Sequence, residues 1–166
     1  MRYACDPTDW KILAILQENA RISNVELAEK VHLSPSPCLA RVKALEESGL
    51  IRHYAALLDP NAIGLGISVF VQVRLERQSE AALVAFEGAV AGRSEVMECY
   101  LMMGSSDYLL RVVVPDLEGF QQFVVSFLSR IPGVGNIQSS VALKPVKYKT
   151  ALPLPLERAA PKRRRR

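Results

Sequence analysis

The fold of the N-terminal part is decided by residues 33–51, which read LSPSPCLARVKALEESGLI. Ser34 is a typical helix N-cap, and the proline after it suits the first helical turn, where its missing N–H costs no intrahelical hydrogen bond. Gly49 is typical of a helix C-terminus. Three-residue spacing predicts a core-facing stripe of Leu39, Val42 and Leu45. The same helical period predicts an outer face of Ser36, Ala40, Lys43 and Glu47.

Two shorter helices are predicted upstream of this one. The motif Asp6-Pro7-Thr8-Asp9 can cap the first helix. Ser23 and Glu26 have the spacing of a capping box for the second. The apolar face of the first helix is expected to contain Trp10, Ile12, Leu13, Ile15 and Leu16. Residues 51–58 can follow as a strand or short hairpin. Three helices and a wing predict a winged helix-turn-helix domain over residues 1–58.

Beyond Gly66 the hydrophobic pattern changes from a helical to an alternating period, which marks a second domain. The predicted order is strand 67–75, a helix carrying Leu83, Phe86 and Val90, strands 96–103 and 108–114, helix 116–130 and strand 134–143. These elements predict an α+β chain whose residues 67–152 form a ferredoxin-like βαββαβ domain. Both helices would cover one sheet face, so we expect homodimerisation through the other.

The remaining segments are a predicted linker at residues 59–66 and a flexible basic tail at residues 153–166. The formal net charge is +4, but five positive charges lie at positions 162–166, which leaves −1 for the other residues. Global charge is therefore weak evidence for DNA binding. Acidic residues stand where a signal peptide would be apolar, and no apolar run reaches the roughly 18 residues of a membrane span. A cytoplasmic location without membrane contact is expected.

Metal and cofactor chemistry is not predicted. Cys5, Cys38 and Cys99 are far apart in sequence, and His32 and His53 lack metal-ligand spacing. Gly-x-Ser-x-Gly, phosphate-loop, dinucleotide-binding and His-Glu-x-x-His motifs do not occur either. We therefore expect no metal, no cofactor and no enzymatic activity.

The candidate DNA-reading segment is the start of the third helix, because a helix-turn-helix places the N-terminal part of its second helix in the major groove. Ser34 and Ser36 can contact phosphates or bases, and Arg41 and Lys43 can contact phosphates or guanine. Arg52, at the entry to the wing, is a further candidate. The alternative is that Ser34 only caps the helix and that Lys43 only pairs with Glu47.

A second candidate site is the loop 103–108, which combines a glycine, hydroxyl groups and a carboxylate beside an aromatic ring. Such a mixture can hold the ammonium group of a zwitterion. The alternative is a hairpin in which Gly104 and Asp107 serve the geometry of the turn.

The stretch 33–51 strongly resembles the recognition helix of the leucine-responsive regulator/AsnC family, and the resemblance extends through residues 9–16, 19–21 and 104–112. It covers roughly residues 5–155. The resemblance implies a transcription regulator that binds promoter or operator DNA, dimerises through its sheets and often assembles into octamers. It also implies an amino-acid effector bound between dimers by Met102, Gly104, Ser105, Asp107 and Tyr108. Ser139, where relatives tend to carry threonine, is a further effector candidate.

Two other functions remain open at this point. Siroheme decarboxylases resemble this family in fold, but they would need a histidine-rich or basic pocket in the second domain, and both histidines precede residue 54. A nucleoid-architectural protein that compacts DNA without an effector would use the same fold together with the basic tail. Substitution of Ser36 or Arg41 is expected to damage specific recognition if the protein is a regulator.

Overall fold

The computed structural model describes residues 3–155, which form two compact units. One unit comprises residues 3–56 together with 147–155, and the other comprises residues 57–146. The segment after residue 146 therefore groups with the N-terminal unit, whereas the sequence predicted that the second domain continues to residue 152. Among the described residues, no helix has the length and apolar character required to cross a membrane.

Three helices form the N-terminal unit: α1 (Pro7–Glu18), α2 (Asn24–Lys30) and α3 (Pro35–Glu47). The side chain of Asp6 accepts the backbone N–H groups of Thr8 and Asp9 at the start of α1. A capping box joins Ser23 and Glu26 at the start of α2. Both predicted caps are confirmed.

The core of this unit is lined by residues from all three helices: Ile12, Leu13, Leu27, Ala28, Val31, Cys38 and Leu45. The predicted burial of Leu39 is wrong, since that side chain is 44% exposed and Cys38 is fully buried. Cys38 precedes Val42 by four residues and Leu45 by seven, so the buried stripe follows the helical period more closely through Cys38.

The predicted wing strand is not formed. Residues 52–59 belong to no helix or strand in the described chain, and residues 60–64 form a turn. A strand requires a pairing partner as well as suitable residues. Tyr54 is nevertheless anchored, because its hydroxyl donates to Glu46 Oε1 at 2.8 Å. Burial and this bond raise the pKa of Tyr54 to about 12.

The second unit contains β1 (Ile67–Leu75), α4 (Glu80–Ala91), β2 (Val96–Leu101), β3 (Tyr108–Val114), α5 (Leu117–Ser126) and β4 (Val134–Val141). Its four-stranded sheet has the order β2-β3-β1-β4, and every neighbouring pair is antiparallel. The predicted ferredoxin-like βαββαβ architecture is confirmed.

One face of this sheet is covered by the helices of the unit, and the other is not. Alternate residues of β1 are buried in the core beneath the helices: Val69, Val71, Val73 and Leu75. The residues between them point to the other face of the sheet. The residues of β3 that pair with them, and the residues of β2 that pair with those, point to the same face. We call this side the open face; its members include Phe70, Gln72, Arg74, Tyr100, Leu109 and Arg111. Phe70 is 41% and Tyr100 53% exposed, so the open face contains accessible aromatic surface.

The segment after β4 is held by the N-terminal unit. The amide of Gln17 donates to the carbonyl of Leu152 at 3.2 Å, and the backbone N–H of Leu152 donates to Gln17 Oε1 at 2.7 Å. Leu154 packs against the core of that unit. These contacts explain why residues 147–155 group with the helices.

Candidate DNA-binding and effector-binding sites

The exposed side of α3 and its N-cap together contain three of the five predicted DNA contacts. Ser34 occupies the N-cap position, but its side chain makes no capping hydrogen bond within the described chain. Ser36 and Lys43 are exposed. None of the four ion pairs between described residues involves Lys43, so the alternative pairing with Glu47 is not formed. Arg52, the fourth predicted contact, is exposed in the irregular segment after the helix.

Arg41 is placed differently from Ser36 and Lys43. Its Nη1 lies 2.7 Å from Asp6 Oδ2 and 2.8 Å from Asp9 Oδ1, and the side chain of Asp9 is only 3% exposed. The backbone N–H of Asp9 and the guanidinium lower the pKa of Asp6. The bonds to Asp9 and Asp6 in turn raise the pKa of Arg41. Arg41 thus ties α3 to the start of α1, a contact between residues 35 positions apart.

In the second unit, the buried Asp107 holds the end of β1. Its side chain accepts the backbone N–H of Leu75 at 2.7 Å and the side-chain amide of Gln78. Its own N–H donates to the carbonyl of Val73 at 2.9 Å. The residue is 5% exposed. These bonds tie the loop between β2 and β3 to the end of β1 and to the residues after it, so the Asp107 carboxylate has a structural partner outside its own turn.

Tyr108 begins β3 and faces the helices. It is 1% exposed, its ring stacks on Phe86 with 4.4 Å between centroids, and its hydroxyl donates to Glu87 Oε1 at 2.8 Å. Burial and the hydrogen bond to Glu87 raise the pKa of Tyr108 above its ordinary value of 10.0. The ring therefore belongs to the packing beneath the loop.

Met102, Gly104 and Ser105 form the accessible part of the same loop. All three are exposed, and Gly104 has φ +145°. The N–H of Met102 donates to the carbonyl of Asp107 at 2.8 Å, which closes the loop at its base. The structure thus brings Met102, Gly104 and Ser105 together above Asp107.

Ser139 lies elsewhere on the sheet. Ser139 lies on β4, is exposed and pairs with Val71 of β1. The loop leads into β3, which lies on the other side of β1 from β4. Two strand spacings amount to roughly 10 Å. Ser139 is therefore not in one cluster with the loop of the same chain.

A groove runs along the helix side of β2 and was not predicted from the sequence. Its lining includes Glu87, Val90, Val96, Cys99, Leu101 and Tyr108. Burial, followed by the nearby Glu87 carboxylate, raises the pKa of the Cys99 thiol. Glu87 was missed because its contact with Tyr108 spans 21 positions between different elements. Gln78, the partner of Asp107, was missed for the same reason.

Comparison with known proteins agrees with this two-unit architecture. Residues 6–52 match the model of winged helix-turn-helix DNA-binding domains, and residues 68–152 match the Lrp/AsnC ligand binding domain. The Bkd operon transcriptional regulator of Pseudomonas aeruginosa is 45% identical over 90% of this chain and 97% of its own length. The leucine-responsive regulatory protein of Salmonella typhimurium is 41% identical over 89% of this chain and 90% of its own.

A solved relative has the same fold. The crystal structure of a transcriptional regulator from Neisseria meningitidis in complex with L-Met superposes with a TM-score of 0.87 and 45% identity, covering 90% of this chain and 97% of the other. A helix-turn-helix unit joined to this sheet domain defines a class of DNA-binding transcriptional regulators with a ligand-binding domain. The chain belongs to the Lrp/AsnC family of these regulators.

Proposed function

We propose that this regulator recognises specific promoter or operator DNA through the exposed side of α3. The observation that supports this proposal is that Ser36 and Lys43 lie exposed on one side of α3, with Ser34 exposed at its N-cap, while the opposite side of the helix is buried in the core. Hydroxyl groups near the start of a recognition helix suit phosphate or base contacts, and an exposed lysine suits a phosphate. Arg52 adds a positive charge next to the C-terminal end of α3.

In this proposal Arg41 is a positioning residue. Its Nη1 donates to two carboxylates at the start of α1, so it holds α3 against α1 instead of contacting DNA. Charged hydrogen bonds of this length are strong relative to neutral ones. An Arg41 variant would therefore lose DNA affinity through the fold of the unit.

We further propose an amino-acid effector that contacts the exposed loop residues Met102, Gly104 and Ser105. The Neisseria relative was solved with L-Met, and an aliphatic or thioether side chain suits the accessible surface of Met102. Asp107 and Tyr108 would support the loop from below through their bonds to Leu75 and Glu87. Ser139 would contribute from another copy of the chain.

Homodimerisation through the open face is part of the same proposal. Phe70 and Tyr100 expose aromatic surface there, and burial of such surface stabilises association. Further assembly to an octamer would let one effector change how many DNA contacts act together. Operation on promoters would place the protein at the nucleoid in the cytoplasm. The architectural alternative depends on the basic run at 162–166, which lies outside the described residues.

The test is binding of the full chain to its own upstream promoter fragment and to unrelated DNA of equal length, at several salt concentrations, with and without a panel of amino acids. We expect promoter preference that one amino acid changes. Lys43→Ala should weaken binding and lower the dependence of log Kd on log salt by about one per contact. Lys144→Ala, an exposed lysine of the second unit, is the matched control. Equal binding to both DNAs, unchanged by every amino acid, would favour the architectural function.

A further inference from the structure

Leu39 is an exposed aliphatic side chain on the proposed DNA-reading side of α3. It is 44% exposed, although the neighbouring Cys38 is fully buried. Four exposed residues share this side at spacings of three, four and seven positions: Ser36, Leu39, Ala40 and Lys43. The helix therefore presents an apolar patch, bordered by a hydroxyl and an ammonium group.

The major groove of DNA offers one apolar feature to such a patch. Each thymine carries a C5-methyl group, which cytosine lacks, and aliphatic side chains contact it. Leu39 stands three residues after Ser36 and four before Lys43, in the part of a recognition helix that reaches base edges. Arg41 does not compete for this position because its guanidinium is held by Asp6 and Asp9.

We propose that Leu39 contacts the C5-methyl group of a thymine and so selects thymine over cytosine at one position of each half-site. This rests on the proposed function, in which α3 reads the major groove, and it assigns base selection to an apolar residue. The charged neighbour Lys43 would then hold the helix on the phosphate backbone.

The experiment uses promoter DNA copied with deoxyuridine in place of thymidine, which removes the C5-methyl groups and leaves base pairing and phosphate charge unchanged. We expect the wild-type chain to bind the uracil DNA more weakly, about four-fold for each methyl group buried. Leu39→Ala should bind thymine DNA more weakly and should show a thymine-to-uracil affinity ratio near one.

Lys43→Ala is the matched control on the same side of α3. It should weaken binding to both DNAs equally and keep the wild-type ratio, since a phosphate contact is indifferent to the methyl group. Fluorescence of Trp10, which packs on the core of the N-terminal unit, checks that each variant is folded.

Several results would overturn the role of Leu39. One is a wild-type ratio near one, and another is a Leu39→Ala variant that keeps the full wild-type ratio. A change in sedimentation of Leu39→Ala without DNA, together with an unchanged ratio, would assign Leu39 to a contact between copies. If the wild-type chain shows no preference for the promoter over unrelated DNA, the proposed function itself fails, which is a separate outcome.

Discussion

Substitution of Arg41 by alanine separates a positioning role from a DNA contact. The change removes hydrogen bonds of 2.7 Å to Asp6 and 2.8 Å to Asp9. Loss of one partner of a fully buried ion pair costs about 3–5 kcal/mol, and loss of an exposed pair costs about 1 kcal/mol or less. Asp9 is buried, but Arg41 is 34% exposed and Asp6 43% exposed. Asp9 also keeps the N–H of Asp6 at 3.0 Å. We therefore expect Arg41→Ala to lower the free energy of unfolding by about 2 kcal/mol, between these two limits.

Urea unfolding of the full chain, followed by tryptophan fluorescence, measures this loss. Trp10 is the one tryptophan in the sequence and packs on the N-terminal core, so its emission reports that unit. With a urea dependence of about 1–3 kcal/mol per molar, Arg41→Ala should lower the unfolding midpoint by roughly 0.7–2 M. Lys43→Ala changes an exposed residue of the same helix and should stay within about 0.5 kcal/mol.

A double variant tests the physical reason. In Arg41→Ala the Asp9 carboxylate is left buried without its cation, so Asp9→Asn in the same chain should restore part of the stability. The positioning role would be refuted if Arg41→Ala kept the wild-type midpoint and lost DNA affinity as Lys43→Ala does. Arg41 would then be a direct DNA contact.

Three other perturbations follow from the structure. Because the backbone N–H of Asp9, and after it Arg41, lower the pKa of Asp6 below its ordinary 3.8, its carboxylate stabilises the fold fully above that value. This stability is lost as the pH falls through the lowered pKa, and Asp6→Asn should flatten the dependence of the urea midpoint on pH. His32 has φ +58°, so His32→Val should cost about 1–2 kcal/mol in the same assay while His32→Asn, which tolerates this conformation, should be near neutral. Asp107→Ala leaves the N–H of Leu75 without its acceptor and should cost about 1–3 kcal/mol, measured as faster hydrogen exchange in β1 and β3.

Local patterns were sufficient to predict most helices and strands. Asp6 and Ser23 cap their helices through contacts within three residues, and the alternation of β1 follows from one strand and its two faces. The wing at 51–58 could not be settled in this way because strand formation depends on a distant partner. Leu39 was assigned to the core from its three-residue spacing with Val42 and Leu45, but the helix buries Cys38 and leaves Leu39 exposed.

The site residues also differ in whether a local sequence pattern or a distant contact determines their surroundings. Ser36 and Lys43 were predicted from their position on one helix, and the structure leaves both exposed. The bonds of Arg41 and Asp107 to residues 35 and 32 positions away depend on tertiary packing. A sequence pattern identifies such a charged residue as part of a motif, but it does not show which partner satisfies the charge.

Both of these charged residues share a physical constraint. A charge removed from water must be paired or hydrogen-bonded, so Arg41 and Asp107 are held by the protein and define the surface beside them. On the proposed DNA-reading side of α3, the exposed side chains then include a hydroxyl group, an aliphatic group and one lysine. Phosphate contacts supply affinity that falls with salt, whereas base edges supply choice. Salt dependence should therefore follow Lys43 and Arg52, while sequence preference follows Ser36 and Leu39, and these two properties should change independently in single variants.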